Sequence, residues 1–326
     1  MTIIKTYQTR IENEIEKLFS TNANPRGLYD PAKYVMSLGG KRIRPILCLA
    51  GCAIFNENKI EDAVIPAVGL EVFHNFTLLH DDLMDKSDMR RNKPTVHKIW
   101  NNNTAVLSGD AMLVMAYKLI SKTPKKYLLP VLELFSKTAM EVCEGQQFDM
   151  DFENRNNVTI EEYIEMIRLK TAVLLGCSLK TGAIIGNAIK KDAKALYDFG
   201  CNIGIAFQLQ DDWLDTFGNS EEFGKPIGGD IVCNKKTFLL ITALNDLNKT
   251  SKKELLFWLN NKEFDRNEKI NAVKNLYQEA QISKKTREKI NFFYNFSFKL
   301  FGNVNGTKNI LDELTQFVHN LMERTR

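Results

Sequence analysis

Long apolar runs free of charge are missing from this sequence, since Glu71 and Lys180 interrupt the best of them. The first stretch, MTIIKTYQTRIENEIEKLF, has no extended apolar core and no small-residue cleavage site. Neither a signal peptide nor a transmembrane span is therefore expected, and the chain reads as cytoplasmic. Cysteine is sparse: six residues are scattered from Cys48 to Cys233 with no C-x-x-C pair. That excludes a zinc site and points to free thiols in a reducing compartment, mostly buried because most sit in apolar runs. Net charge is also slight, +4 on 326 residues, which gives no reason to expect nucleic acid as a partner. Alternating β-branched runs bounded by two-residue turns are almost absent, so a sheet-based fold is not expected.

Helical periodicity is what the sequence does have. In IENEIEKLF, Ile11, Ile15, Leu18 and Phe19 follow the i, i+4, i+7, i+8 pattern. Long helical candidates are AVIPAVGLEVFHNFTLLH, NTAVLSGDAMLVMAYKLI, YLLPVLELFSKTAMEVCEGQQFDM and EEYIEMIRLKTAVLLGCSLKTGAIIG. Several are too apolar to face water on any side. With no repeat of solenoid type and no linker-like shift in composition, the expectation is one all-α domain over residues 1–326, a large helical bundle.

Two clusters stand out against this background. LLHDDLMD carries Asp81, Asp82 and Asp85, and FQLQDDWLD carries Asp211, Asp212 and Asp215. Carboxylates four residues apart share a helix face and repel each other. One D-D-x-x-D is more often a solvated helix end. Two copies, each behind an uncharged helical run, imply that bound cations neutralise them. Such hard oxygen ligands suit Mg²⁺ or Mn²⁺, and Mg²⁺ is commonly shared with a substrate phosphate. Basic loops flank both clusters: GGKRIRP with Lys41, Arg42 and Arg44, RRNKP with Arg90 and Arg91, and GKPIGGDIVCNKK with Lys225, Lys235 and Lys236. Their charges suit a diphosphate. GGKRIRP lacks the second glycine and the Lys-Ser/Thr ending of a P-loop.

Taken in order, GGKRIRP, DDLMD with RRNKPT, GQQFD, LKT, FQLQDDWLD and GKPIGGD resemble the trans-isoprenyl diphosphate synthases, the polyprenyl synthetases. The resemblance runs from about Leu38 to Thr237, and the last ninety or so residues carry no usable motif. It implies a single all-helical domain around a deep cavity, assembled as a homodimer. It also implies condensation of isopentenyl diphosphate with an allylic diphosphate (dimethylallyl, geranyl or farnesyl), with about three Mg²⁺ ions per site and Mn²⁺ as the substitute. Carried over by position, all six aspartates hold metal, with Asp81, Asp85 and Asp211 the direct ligands expected first. Lys41, Arg44, His74 and Arg91 match the isopentenyl-diphosphate site. Arg90, Lys170, Lys225 and Lys235 surround the allylic diphosphate, Thr171 and Gln208 lie near the reacting carbons, and Gln146 and Asp149 support them.

Two positions depart from the family pattern, which has Gly where Asn92 stands and Gly-Lys where Asn234-Lys235 stands. Asn is the non-glycine residue most often found at positive φ, so both loops are expected to keep their shape. Chain length is expected to be set by Phe76, about 7.5 Å below Asp81 on a helix, and Phe73 one turn deeper, with small Thr77 beside them. That combination resembles enzymes making a C20 product, with C15 or a mixture next. A farnesyl diphosphate synthase proper, a class I terpene cyclase, a silent subunit of a heteromeric enzyme and a cation-binding scaffold are the alternatives. The matched basic loops and the six intact aspartates count against the last three.

Overall fold

The computed structural model describes residues 2–20, 23–218 and 227–323. Helices dominate: α1 Ile3–Leu18, α2 Arg26–Ser37, α3 Ile43–Ala53, α4 Ile60–Met84, α5 Val96–Ile99, α6 Asn102–Ile120, α7 Lys125–Glu153, α8 Ile160–Ile167, α9 Val173–Ile185 and α10 Lys190–Phe217. They continue, among the described residues, with α11 Gly229–Val232, α12 Phe238–Asp246, α13 Lys249–Asn260, α14 Arg266–Glu279, α15 Ile282–Phe301 and α16 Lys308–Met322. The all-α expectation holds. The two-stranded hairpin is the sheet structure among the described residues, β1 Met89–Arg90 against β2 Lys93–Pro94.

Two compact units divide the chain. The first comprises Met1–Lys137, Leu174–Tyr197 and Asn303–Phe317, and the second Thr138–Val173, Asp198–Gly302 and Val318–Arg326. In the first unit α4 packs against α1, α2, α3 and α6. It is buried on every side, from Ala63 through Leu70, Phe73 and Phe76 to Leu79. Helix α4 with the turn before it is long and apolar enough to cross a membrane, but 72% of its most apolar window is buried in the protein. That burial, and the aspartates at its end, mark a core helix.

In the second unit, α8 starts at a capping box in which Thr159 Oγ1 accepts from Glu162 N–H and the Glu162 carboxylate accepts from Thr159 N–H. Its buried face, Tyr163, Met166 and Ile167, joins Ile205 and Leu209 of α10 and Phe238 and Ile241 of α12. A second cluster gathers Leu239, Leu240, Leu255, Val273, Leu276 and Tyr277. The periodicity of EEYIEMIRLKTAVLLG predicts one helix, whereas the structure breaks it with a π-helical turn over Arg168–Ala172. None of the six cysteines forms a disulfide. Cys48, Cys52, Cys177 and Cys201 are buried as expected, while Cys143 and Cys233 are exposed.

Candidate active site

The first aspartate motif ends α4. Asp85 N–H donates to Asp81 C=O at 2.8 Å, so the two side chains stand one helical turn apart as the spacing requires. Asp82 is turned inward, 6% exposed, while Asp81 is part-exposed and Asp85 exposed. Arg90 meets Asp82 as a fork: Nε lies 2.9 Å from both carboxylate oxygens, and Nη2 donates to Oδ1 at 2.7 Å. A carboxylate this buried needs such a partner.

Arg90 is placed by the hairpin. Arg91 and Asn92 both take positive φ, 52° and 59°, as a two-residue turn of the primed kind demands. Asn92 thus keeps the backbone that a glycine would supply. Arg91 reaches back to the glycine pair of GGKRIRP and donates to Gly39 C=O. Gly40, at φ 135°, leaves room for this: a Cβ there would sit 2.9 Å from both terminal nitrogens of Arg91. One motif therefore fits against another through a missing side chain.

The three basic residues of GGKRIRP take different places. Lys41 is exposed. Arg42 is buried and held by Glu12 at 2.9 Å, Glu71 at 3.0 Å and the Met36 carbonyl at 2.8 Å, so it ties helices together. Arg44 has a buried Nε with no hydrogen-bond partner among the described residues. Desolvation pushes its pKa down to about 10 despite the attraction of Glu71. Beside it, desolvation and then Arg44, Arg91, Arg90 and Arg42 push the His74 imidazole well below its ordinary pKa. Neutral at pH 7, His74 can give or take one hydrogen bond without adding charge. An unsatisfied guanidinium edge in this cationic neighbourhood is a fit for an anion. Glu71 supplies the counter-charge and is itself 2% exposed. Its signal in the sequence was a lone carboxylate inside an apolar run.

Below Asp81 the helix carries an aromatic column. Phe76 lies 4.9 Å from His80 and 5.5 Å from Phe73 between ring centroids, and Phe73 rests on Phe135 at 5.2 Å. Phe73 is 1% exposed and Phe76 8%. Thr77 turns its hydroxyl to His74 C=O at 2.8 Å.

In the second unit the other motif repeats the arrangement of the first. Asp212, the middle residue, is 4% exposed and accepts from Tyr163 Oη and from Gln208 Nε2, the latter at 2.9 Å. Asp211 and Asp215 are part-exposed. Asp215 Oδ2 accepts from Asp230 N–H at 2.9 Å, which fastens the start of α11 to the motif. Gln208 in turn accepts from the Thr171 hydroxyl at 3.2 Å, so Thr171, Gln208, Asp212 and Tyr163 form one chain of bonds. Lys170 Nζ donates to Asp149 Oδ2 at 2.6 Å. Burial alone would raise Asp149, but Lys235 and Lys170 together hold its pKa below the ordinary range. Burial raises Asp212 against the pull of Lys235, and it pushes Asp230 up to about 7.

Lys170 and Thr171 ride on the π-helical turn, a feature often found at functional sites. Two glycines clamp it. A Cβ on Gly145 of GQQFD would lie 2.2 Å from Lys170 N, and one on Gly204 would lie 2.5 Å from Ala172 Cα. Tyr163, Gly204 and Asp230 were not singled out from sequence. Tyr163 lies 49 residues from its partner, and only Asp230, inside GKPIGGD, carried any signal. Gln146 lies one turn before Asp149 on α7. Asn234 takes φ 56°, again the backbone of a glycine. Lys225 lies outside the described residues.

Among the described residues no three carboxylate, thiol or imidazole groups converge into a complete metal cage. The donor set nonetheless fits Mg²⁺. In each motif the middle aspartate is committed to protein groups, and the outer two keep some exposure. Pairs of accessible carboxylates, with phosphate and water completing the shell, are how Mg²⁺ is usually held.

Comparison with known proteins agrees with these motifs. The polyprenyl synthetase family model matches residues 25–279. A short chain isoprenyl diphosphate synthase of Methanocaldococcus jannaschii is 40% identical over 258 residues, 79% of this chain and 78% of that protein. A geranylgeranyl diphosphate synthase of Methanosarcina mazei is 41% identical over 244 residues, 74% of each. A crystal structure of a geranylgeranyl pyrophosphate synthase superposes with a TM-score of 0.94 at 42% identity, over 100% of both chains.

Proposed function

The chain belongs to the polyprenyl synthetase family, and we propose that it makes an all-trans C20 prenyl diphosphate, with C15 as the alternative product. It is a prenyltransferase of the all-helical isoprenoid synthase fold. The observation that carries the proposal is the shared division of labour in the two motifs. Asp82 and Asp212 are buried and braced by protein groups, while Asp81, Asp211 and Asp215 are part-exposed and Asp85 exposed, and it is these more accessible carboxylates that we read as facing the metal. Bound Mg²⁺ supplies Lewis-acid stabilisation of the departing diphosphate.

The chain's own groups do the rest. Lys170, Lys225 and Lys235 attract the allylic diphosphate, and Arg90 serves it while also bracing Asp82. Lys41, Arg44 and Arg91 hold the diphosphate of isopentenyl diphosphate, with His74 as a neutral partner beside them. The allylic C–O bond breaks with its electron pair leaving on the diphosphate. The double bond of isopentenyl diphosphate then attacks the cation, and a proton passes to the departed diphosphate. Thr171 and Gln208 line the reacting carbons, while the aromatic column of Phe76 and Phe73 excludes water and stops the growing tail.

We further propose that residues 1–326 act as one catalytic domain, cytoplasmic, in a homodimer. Exposed apolar side chains favour self-association: Leu107 and Val114, seven residues apart on one face of α6, are 60% and 68% exposed, and Leu129 of α7 is 65% exposed. The deciding experiment is incubation with Mg²⁺, isopentenyl diphosphate and, separately, C5, C10 and C15 allylic primers, followed by chromatography of the dephosphorylated products. Chelator-sensitive C20 formation is the expected result. No elongation of any primer would refute the reading.

A further inference from the structure

Lys269 lies beyond every recognisable motif, yet its side chain is entirely buried, at 0% exposure. It stands in the first turn of α14, whose start is the positive end of the helix dipole. Burial and the dipole both disfavour an ammonium there, and desolvation lowers its pKa. Lys269 forms no ion pair with a carboxylate among the described residues. Its Nζ instead donates to Asn234 Oδ1 at 2.7 Å and to Val232 C=O at 3.2 Å, and lies 4.2 Å over the Phe264 ring.

The two acceptors sit just before Lys235: Val232 ends α11, and Asn234 is the residue directly preceding Lys235. Asn234 Nδ2 donates onward to Leu259 C=O at 2.9 Å, so its amide is gripped at both ends. Its backbone is left-handed, φ 56°, a conformation a glycine takes freely and an asparagine holds at some cost. Lys235 follows directly, with its N–H bonded to Asp230 C=O at 2.9 Å. The charge of Lys235 acts on Asp149, Asp212 and Asp230 together.

We propose that Lys269 is a positioning residue: by tethering Asn234 in the left-handed conformation it aims Lys235 at the acidic cluster of the second aspartate motif, and so sets the affinity of the site for the allylic diphosphate. The proposal rests on the reading of Lys235 as an allylic-diphosphate residue. It gives the C-terminal helices a role in the site. It also explains how asparagine serves where the family pattern has glycine.

The test is a cycle of Lys269→Met, Asn234→Gly and the double variant. Lys269→Met removes the tether and strands the Asn234 carbonyl. It should raise the KM for geranyl diphosphate about tenfold, the scale of one lost charge-assisted bond, with the KM for isopentenyl diphosphate unmoved. Binding of inorganic diphosphate with Mg²⁺, measured by calorimetry, should weaken alongside. In the double variant glycine keeps the left-handed backbone without a tether and the stranded Asn234 amide is gone, so both values should return to within about threefold of wild type. Thermal melts should rise above those of Lys269→Met but stay below wild type, since the Val232 and Leu259 carbonyls each lose a side-chain donor.

A double variant as impaired as Lys269→Met would overturn the proposal, as would equal effects on both substrates. If Lys269→Met does not fold, the double variant must fold and bind diphosphate, and its failure is also decisive. Should wild type elongate no primer, the functional reading falls. Melts then still decide whether Lys269 and Asn234 are coupled.

Discussion

A methyl group on Gly145 is the smallest change that should disable the enzyme from outside its charged residues. The Cβ of Gly145→Ala would stand 2.2 Å from Lys170 N, 2.7 Å from Lys170 Cα and 2.8 Å from the Leu169 carbonyl carbon. All three are backbone atoms, so no rotamer relieves the clash. Ordinary contact begins near 3.4 Å, so α7 and the π-helical turn must part by about 1.2 Å. Lys170 and Thr171 ride on that turn and move with it. The 2.6 Å bond from Lys170 to Asp149, four residues along α7, is stretched by the same motion. A misplacement of about 1 Å in a positioned group can cost a hundredfold in rate, and overpacking typically costs ~1–3 kcal/mol of stability. Gly145→Ala should therefore fold with a lowered Tm and lose about a hundredfold in kcat, with the KM for isopentenyl diphosphate near wild type. Steady-state kinetics at saturating Mg²⁺ beside calorimetric melts would measure both. A variant within about threefold of wild-type kcat would show that the turn absorbs the methyl group and that its position is not critical.

Asp81→Asn and Asp211→Asn should each lower kcat about 10²–10³-fold while leaving the melting transition of metal-free protein no lower, since each removes a repelling charge. Near-normal turnover in either would contradict the assignment of those carboxylates to metal. Phe76→Ala should lengthen the products while leaving the first condensation intact, and an unchanged chain-length distribution in a folded, active variant would make Phe76 ordinary core. Because the folded pKa of His74 lies below its unfolded value near 6.5, the unfolded chain takes up a proton first as pH falls. Its contribution to stability is thus whole above that pH and declines below it. His74→Gln should flatten this acid limb in melts between pH 5 and 8, and an unaltered limb would mean that the imidazole is not held neutral.

Much of this protein was written in local pattern. The four-residue spacing of the aspartates placed Asp81 with Asp85 and Asp211 with Asp215 on shared helix faces, because the pitch of a helix allows nothing else. Asn92 and Asn234 stand where the family pattern has glycine, and asparagine is the residue best able to keep a glycine's positive φ there; both have it. Other features depend on contacts between residues far apart in the chain. Which aspartate of each motif turns inward was settled by Arg90 and Tyr163. The periodicity of EEYIEMIRLKTAVLLG continues unbroken through Arg168–Ala172, so the π-helical turn became visible only where Gly145 and Gly204 bring other backbones against it. Arg42 and Arg44, two residues apart in one motif, part company in the fold: Glu12 and Glu71 make Arg42 a structural tie, while Arg44 keeps a buried Nε with no hydrogen-bond partner among the described residues. Lys269 gave no sign at all, because a lysine's charge reads as surface until the fold closes over it. The sequence alone set each residue's chemistry and its place on a helix; burial and long-range pairing, which fix which of those groups can meet a substrate, exist only once the chain has packed.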